Sequence, residues 1–264
     1  MKTLNGKVAL ITGGALGLGL ETARQLGSLG ATVLIAARDV NHAKGEALIL
    51  ARGGIKAQGV KLEMSEQDDI TSLVQYLDQT YGRLDILINN AGIWLESASG
   101  SAMPDNTTST ASPETLREIF DINFFSLVEL TQKLLPLIQN SEAGRIFNVS
   151  SILGSLSLHT DPQSMIFNSK AFAYNASKTG VSAFTIHLAH ELSGTPIKVN
   201  FAHPGWVRSA IGGESAVMDL EEGSHTAVKL AMTDEDGPTG TFFHLTIRCR
   251  GSHDMREDDC PLLQ

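Results

Sequence analysis

The sequence predicts an α/β fold, a single domain built on a doubly wound parallel sheet of Rossmann type, and three observations carry that prediction. Short apolar runs alternate with longer helix-forming segments along most of the chain, the first run stops at a glycine-rich turn, and polar residues gather where later runs end. At 264 residues there is length enough for one large core. Hydrophobic residues make up 42% and charged residues 19%, the balance of an ordinary soluble globular chain. A formal net charge of -9 without a clustered basic face argues against nucleic acid and leaves a small metabolite as the expected partner. No apolar run approaches the roughly 20 residues of a membrane span, and Met1 to Gly6 lacks the order of a signal peptide. The two cysteines, Cys249 and Cys260, stand close together near the end, so a disulfide framework is excluded and a reducing cytoplasm fits.

Val8 to Ile11 reads as a buried strand that stops at Thr12-Gly13-Gly14-Ala15-Leu16-Gly17-Leu18-Gly19, and a helix follows over Leu20 to Leu29. Glycines let such a turn approach a pyrophosphate, and the N–H groups at the helix start favour its charge. Methyltransferases carry a comparable turn, so the motif alone does not name the nucleotide. Thr32 to Ala37 is a second strand, ending with Ala37 where an NAD-type site usually places a carboxylate. Arg38 follows directly and can pair with a 2′-phosphate, which favours NADP(H); the competing reading is a plain loop cation. A helix over Asn41 to Ala51, a strand over Gly59 to Leu62, a helix over Gln67 to Tyr81 and a strand over Leu84 to Ile88 continue the alternation.

That strand ends in Asn89-Asn90-Ala91-Gly92. The stretch from Trp94 to Pro113, rich in Ser, Thr, Gly and Pro, reads as a loop, either a flap over substrate or disordered chain. Ser112 and Pro113 suit the start of a helix whose apolar pattern runs to Leu137, with Pro136 near its end and Asn123 among apolar neighbours. A mid-helix asparagine ordinarily faces solvent or bonds locally. Arg145 to Ser151 is a strand ending in paired hydroxyls, without the Gly-x-Ser-x-Gly elbow of a hydrolase; Ser151 suits a donor to a carbonyl oxygen. Gly154 to Phe172 reads as loop.

Tyr174 and Lys178 then share one face at the head of a helix over Tyr174 to Leu192. An ammonium beside a phenol favours the phenolate, which would make Tyr174 a proton carrier near neutral pH; an ordinary surface pair has the same spacing. A strand over Ile197 to Phe201 leads into His203-Pro204-Gly205-Trp206-Val207-Arg208-Ser209. His203 has no partner at metal-ligand spacing, so a structural role is favoured over a base and no metal site is expected. A helix over Glu221 to Met232 and a strand over Thr241 to Leu245 complete the pattern, and residues 248–264 read as an atypical tail, either disordered or an altered C-terminus.

Taken together, Thr12-Gly13-x-x-x-Gly17-x-Gly19, Asn89-Asn90-Ala91-Gly92, Asn123, Ser151, Tyr174-x-x-x-Lys178 and Pro204-Gly205 resemble the short-chain dehydrogenase/reductase family over Lys7 to Leu245, and Ala37-Arg38 with His-Pro-Gly-Trp-Val is similar to its NADPH-dependent carbonyl reductase branch. The resemblance implies a dinucleotide-binding and catalytic domain over residues 1–247. It implies that Tyr174 exchanges a proton with the substrate oxygen, Ser151 hydrogen-bonds that oxygen, Lys178 lowers the tyrosine pKa and holds the nicotinamide ribose, and Asn123 supports a water relay. For the cofactor it implies Thr12, Gly13, Gly17, Leu18 and Gly19 at the pyrophosphate, and Arg38 at the 2′-phosphate. Asn90, Ala91, Gly92, Pro204, Gly205, Val207 and Ser209, with Tyr174 and Lys178, would lie along the rest of it. The implied activity is hydride transfer between NADP(H) and a small carbonyl or alcohol, with no nucleic acid or membrane partner.

The chain departs from the family in having Glu63-Met64 where an aspartate is common near the adenine, Ser209 for a threonine, and two longer loops near the helix many relatives use for pairing; homodimer and homotetramer both stay open. A catalytically silent dinucleotide sensor has no need of the tyrosine-lysine pair. A methyltransferase explains neither that pair nor Arg38.

Overall fold

The computed structural model describes residues 3–97 and 105–244. Seven strands form one sheet: β1 (Val8–Thr12), β2 (Thr32–Ala37), β3 (Ala57–Lys61), β4 (Ile86–Asn89), β5 (Arg145–Val149), β6 (Lys198–His203) and β7 (Phe242–His244). Their order is β3-β2-β1-β4-β5-β6-β7, and every pairing is parallel. The order reverses direction between β1 and β4, which opens a crevice at the carboxyl ends of those strands.

The helices are α1 (Gly17–Ser28), α2 (Val40–Arg52), α3 (Gln67–Tyr81), α4 (Pro113–Phe120), α5 (Ser126–Gln139), α6 (Leu156–Thr160), α7 (Phe172–Glu191) and α8 (Leu220–Ala231). Alternate strand residues feed two cores, as burial on both faces of a parallel sheet requires. Val8 and Leu10 pack with Leu73 and Leu77 of α3, Leu130 and Leu134 of α5 and Leu188 of α7. Ala9 and Ile11 pack with Leu26 of α1, Leu50 of α2 and Val228 of α8.

Two differences from the expected elements matter for function. The helix expected from Pro113 to Leu137 is broken by a π-helical turn at Asp121–Phe125, where the backbone N–H of Ser126 donates to the Asp121 carbonyl. The extra residue in that turn directs Asn123 inward, fully buried, rather than towards solvent. Within the stretch read as loop from Gly154 to Phe172, Ser155 caps the short helix α6 through Leu158 N–H, so part of it is ordered helix. Ser112 caps α4 through Thr115 N–H, with Pro113 in its first turn, as the sequence requires. Pro136 sits in the last turn of α5. Residues 98–104 of the Trp94–Pro113 loop, the strand end at Leu245 and the tail lie outside the described residues.

Candidate active site

The crevice is closed at its base by Thr12. Its hydroxyl accepts from the backbone N–H groups of Asn90 at 3.0 Å and Ala91 at 2.9 Å, tying the end of β1 to the end of β4. Asn90 returns the contact through Nδ2, which donates to the Thr12 carbonyl at 2.9 Å. Above this base Gly13 and Gly17 have φ of +61° and +53°, a conformation that L side chains rarely adopt. A Cβ on Gly19 would stand 2.3 Å from the Gly13 carbonyl oxygen, so the turn closes this tightly only with glycine there. No side chain caps α1 and its first turn holds no acidic residue, which leaves its leading N–H groups available to an anion. Leu18 lies at the α8 side of the turn, its Cδ1 3.2 Å from the position a Cβ on Gly223 would take.

Arg38 follows β2 on the exposed side of the crevice, and its side chain makes no hydrogen bond or ion pair among the described residues. The neighbouring Asp39 is spent: its carboxylate caps α2 through the N–H groups of Asn41 and His42. Of the pair Glu63-Met64, Met64 is buried in the core, while Glu63 is half-buried and its backbone N–H donates to Asp69 Oδ2 at 2.7 Å.

On the other side of the crevice α7 brings Tyr174 and Lys178 beneath β5. Both are buried, and the lysine Nζ donates to the Val149 carbonyl at 2.8 Å and lies 5.6 Å from the centre of the tyrosine ring. The tyrosine hydroxyl has no hydrogen-bond partner among the described residues. Gly92 adjoins this group: a Cβ there would lie 3.3 Å from Asn123 Oδ1 and 3.7 Å from Lys178 Nζ. Asn123 itself accepts from Ile93 N–H at 2.8 Å and donates to the Ile93 carbonyl at 3.0 Å and to Ser177 Oγ at 3.3 Å. It therefore clamps the strand end of β4 to α7.

The paired serines divide their work. Ser150 Oγ lies 3.3 Å from the Lys178 carbonyl and 3.2 Å from Ser182 Oγ, against the backbone of α7. Ser151 Oγ only accepts, from Leu153 N–H at 3.1 Å, so its own proton is left to donate. After β6, Gly205 has φ of +92° and packs against Met218, while Val207 pairs with Met218 in an isolated bridge. Pro204 lies between Gly205 and His203 at the strand end. Ser209 Oγ accepts from Gly212 N–H within the loop. A depression of about 310 Å³ is lined by Arg208, Ser209, Gly213 and Glu214, and Tyr174 is not among its lining residues.

Electrostatics correct one expectation. The lysine does not draw Tyr174 towards the phenolate: burial pushes the phenol up to about 12 and, acting on the opposite charge, pushes Lys178 down to about 8. In both groups burial is the cause of the shift, and the tyrosine is held as a protonated acid. His203 stacks on His244 with ring centres 5.3 Å apart. Burial, with His244 adding to it, pushes His203 down to about 3, which makes it a neutral structural ring and not a base. Among the described residues no cluster of three or more His, Cys, Asp or Glu could hold a metal, and no helix is long and apolar enough to cross a membrane.

Two residues outside the motifs complete the surroundings of Tyr174. Trp94 packs its ring on the tyrosine, centres 4.9 Å apart and planes at 56°. Glu96, buried, accepts from the backbone N–H groups of Ala173 and Tyr174. A single carboxylate in a polar loop has no periodic signature. The available signal is indirect: Ala171-Phe172 offers α7 no capping side chain, so its first N–H groups need a partner from elsewhere.

A family model described as short chain dehydrogenase matches residues 7–219. The short-chain dehydrogenase anuI of Penicillium roqueforti is 32% identical over 88% of this chain and 90% of its own length. Carbonyl reductase [NADPH] 1 of Homo sapiens is 30% identical over 89% of this chain and 95% of its own. The solved structure of salutaridine reductase from Papaver somniferum superposes with a TM-score of 0.77 at 25% identity, covering 90% of this chain and 99% of that one.

Proposed function

The chain belongs to the short-chain dehydrogenase family, and on that premise we propose that it is an NADP(H)-dependent oxidoreductase interconverting a carbonyl compound and its alcohol. The observation that carries this reading is the convergence of a protonated, unpartnered Tyr174 hydroxyl, the free donor of Ser151 and Lys178 on one edge of a crevice whose glycine turn is open to a pyrophosphate. The residues present fit the cofactor: the positive-φ glycines Gly13 and Gly17 and the uncapped start of α1 would hold the pyrophosphate, and the unpaired Arg38 a 2′-phosphate. Asn90, Ala91 and Gly92 would line the middle of it, and Pro204, Gly205, Val207 and Ser209 the nicotinamide end. When bound, NADPH supplies the hydride.

The chain's own residues supply the rest. In the reductive direction Ser151 donates a hydrogen bond to the carbonyl oxygen and fixes it near the phenol. Tyr174 transfers its proton to the oxygen as negative charge develops there. Lys178 would hold the nicotinamide ribose and stabilise the tyrosinate left behind, and Asn123, whose carboxamide is committed to Ile93 and Ser177, would support a water relay to Lys178 through its backbone. Tyr174→Phe should lower turnover about 100- to 10,000-fold, the usual worth of a positioned general acid. The measurement is NADPH absorbance against a panel of aldehydes, ketones and quinones; no oxidation of NADPH with any of them, or full activity in the variant, sinks the reading.

Cofactor choice has its own test. Arg38→Ala should weaken NADPH binding about 10- to 100-fold, the loss of a charge-assisted contact, and leave NADH nearly unchanged. Equal weakening of both refutes the 2′-phosphate contact. The same reading sets the reaction in the cytoplasm and the assembly as a homo-oligomer paired through α5 and α7, a reading supported by the exposed Phe125 and Ile186. Sedimentation of Phe125→Asp as a species no smaller than the unmodified protein would remove that contact from the interface.

A further inference from the structure

We propose that Glu96 is a positioning residue for Tyr174: its carboxylate, carried on the loop after β4, fixes the first turn of α7 and through it the direction of the phenol. This rests on the reading of Tyr174 as proton carrier.

The physical need arises at the start of α7. The first N–H groups of a helix have no partner within it. Here the cap residue is Ala171, no side chain caps it, and the first turn holds no acidic residue. Two of the orphan donors are satisfied by one distant side chain: Ala173 N–H donates to Glu96 Oε1 at 3.1 Å and Tyr174 N–H to Glu96 Oε2 at 2.9 Å. Glu96 is only 2% exposed. Burial of a carboxylate is costly unless it is hydrogen-bonded. Among the described residues no cation pairs with it, and its carboxylate oxygens accept from two backbone N–H groups at the positive end of the helix dipole.

A serine or aspartate at position 171 would cap the helix equally well. What a local cap would not do is join the helix to the loop. Two residues before Glu96, Trp94 lies on the tyrosine ring, and its Nε1 donates to Ser97 Oγ at 3.1 Å. The Glu96 carbonyl also accepts from Asp105 N–H at 2.7 Å, which pins the two ends of the loop together. One four-residue stretch thus holds Tyr174 by its backbone amide and by its ring. The phenol oxygen has no partner of its own among the described residues, so its direction is set by those two contacts. A proton carrier displaced by an ångström loses much of its rate.

The test uses the full chain with NADPH and 9,10-phenanthrenequinone, together with NMR of protein carrying labelled tyrosine rings. The chain has three tyrosines, and Tyr174→Phe identifies the third signal. Glu96→Gln is the same size, but its amide can accept only one of the two N–H bonds and sets an NH2 group against the other. Turnover should fall about 10- to 100-fold, with KM for NADPH changed less than about twofold because the glycine turn is untouched. The Tyr174 signal should shift. Adding Ala171→Asp to Glu96→Gln supplies a local cap; it should restore the melting temperature but not turnover. Full turnover and an unmoved signal in Glu96→Gln, or recovery of turnover along with melting temperature in the double variant, would show Glu96 to be a helix cap and nothing more. Failure of the parent reading looks different: the unmodified protein leaves NADPH unoxidised with every aldehyde, ketone and quinone of the panel, or Tyr174→Phe keeps its activity, while the tyrosine signal still reports whether Glu96 fixes the ring.

Discussion

Lys178 gives up stability for its place in the site. Its pKa of about 8 lies below the ordinary lysine value of 10.5, and burial is the cause. The sign follows from linkage: above pH 10.5 the amine is neutral folded or unfolded, and as pH falls to about 8 the unfolded chain gains a proton that the folded one resists. Below that the deficit is constant, on the order of a few kcal/mol. Lys178→Met should therefore melt higher than the unmodified protein at pH 7 while losing turnover, measured by calorimetry and NADPH oxidation side by side. Under the proposed role the same titration appears in binding. NADPH affinity should weaken as pH rises through about 8, where the ammonium is lost, and fluorescence titration of Lys178→Met should show no such step.

Among the elements, α7 is the one on which the site depends, and it is approached too closely for side chains to intervene. A Cβ on Gly154, in the turn after Ser151, would lie 2.8 Å from the Lys178 carbonyl carbon and 2.9 Å from Thr179 N. Those are backbone atoms and cannot swing aside. Gly154→Ala should separate the serine turn from α7, costing about 1–3 kcal/mol by denaturant unfolding and lowering turnover with it. Most of this element was legible beforehand: the three- and four-residue spacing of Val181, Phe184, Leu188 and Leu192 places the helix within a few residues of its bounds. The interruption of α4 and α5 was not, because a π-helical turn inserts one residue without disturbing the apolar pattern on either side. Asn123 therefore looked like an ordinary helical asparagine while its carboxamide is committed to Ile93 and Ser177. The pairing of Glu96 with α7 was hidden for another reason. A contact across 77 residues leaves no local spacing to read. The upward direction of the tyrosine shift was not legible because sequence shows the lysine but not the burial that causes the shift.

Across the whole molecule the acid limb of stability should be set by two groups at opposite ends of the sheet. At the amino ends of the strands, burial raises the Asp85 carboxyl, but the Ser141 hydroxyl, the Val8 N–H, Lys7 and Arg83 together hold it below the usual 3.8. Its contribution is present above pH 3.8 and is lost as pH falls below that through the folded value. At the carboxyl ends His203 works over a higher range. Its folded pKa of about 3 against an ordinary 6.5 means that stability present above pH 6.5 is lost steadily as pH falls towards 3. His203 Nδ1 and His244 Nε2 are both buried without a hydrogen-bond partner among the described residues, so neither ring has a local acceptor to stabilise its cation. The melting temperature should accordingly begin to fall near pH 6.5, well before carboxylates titrate. His203→Phe, which keeps a flat ring beside His244 and removes the titration, should move that onset down towards pH 5, where carboxylates of ordinary pKa begin to respond. Calorimetry in a series of buffers from pH 8 to 4 reads it directly, and an unchanged onset in the variant would assign the limb to another group.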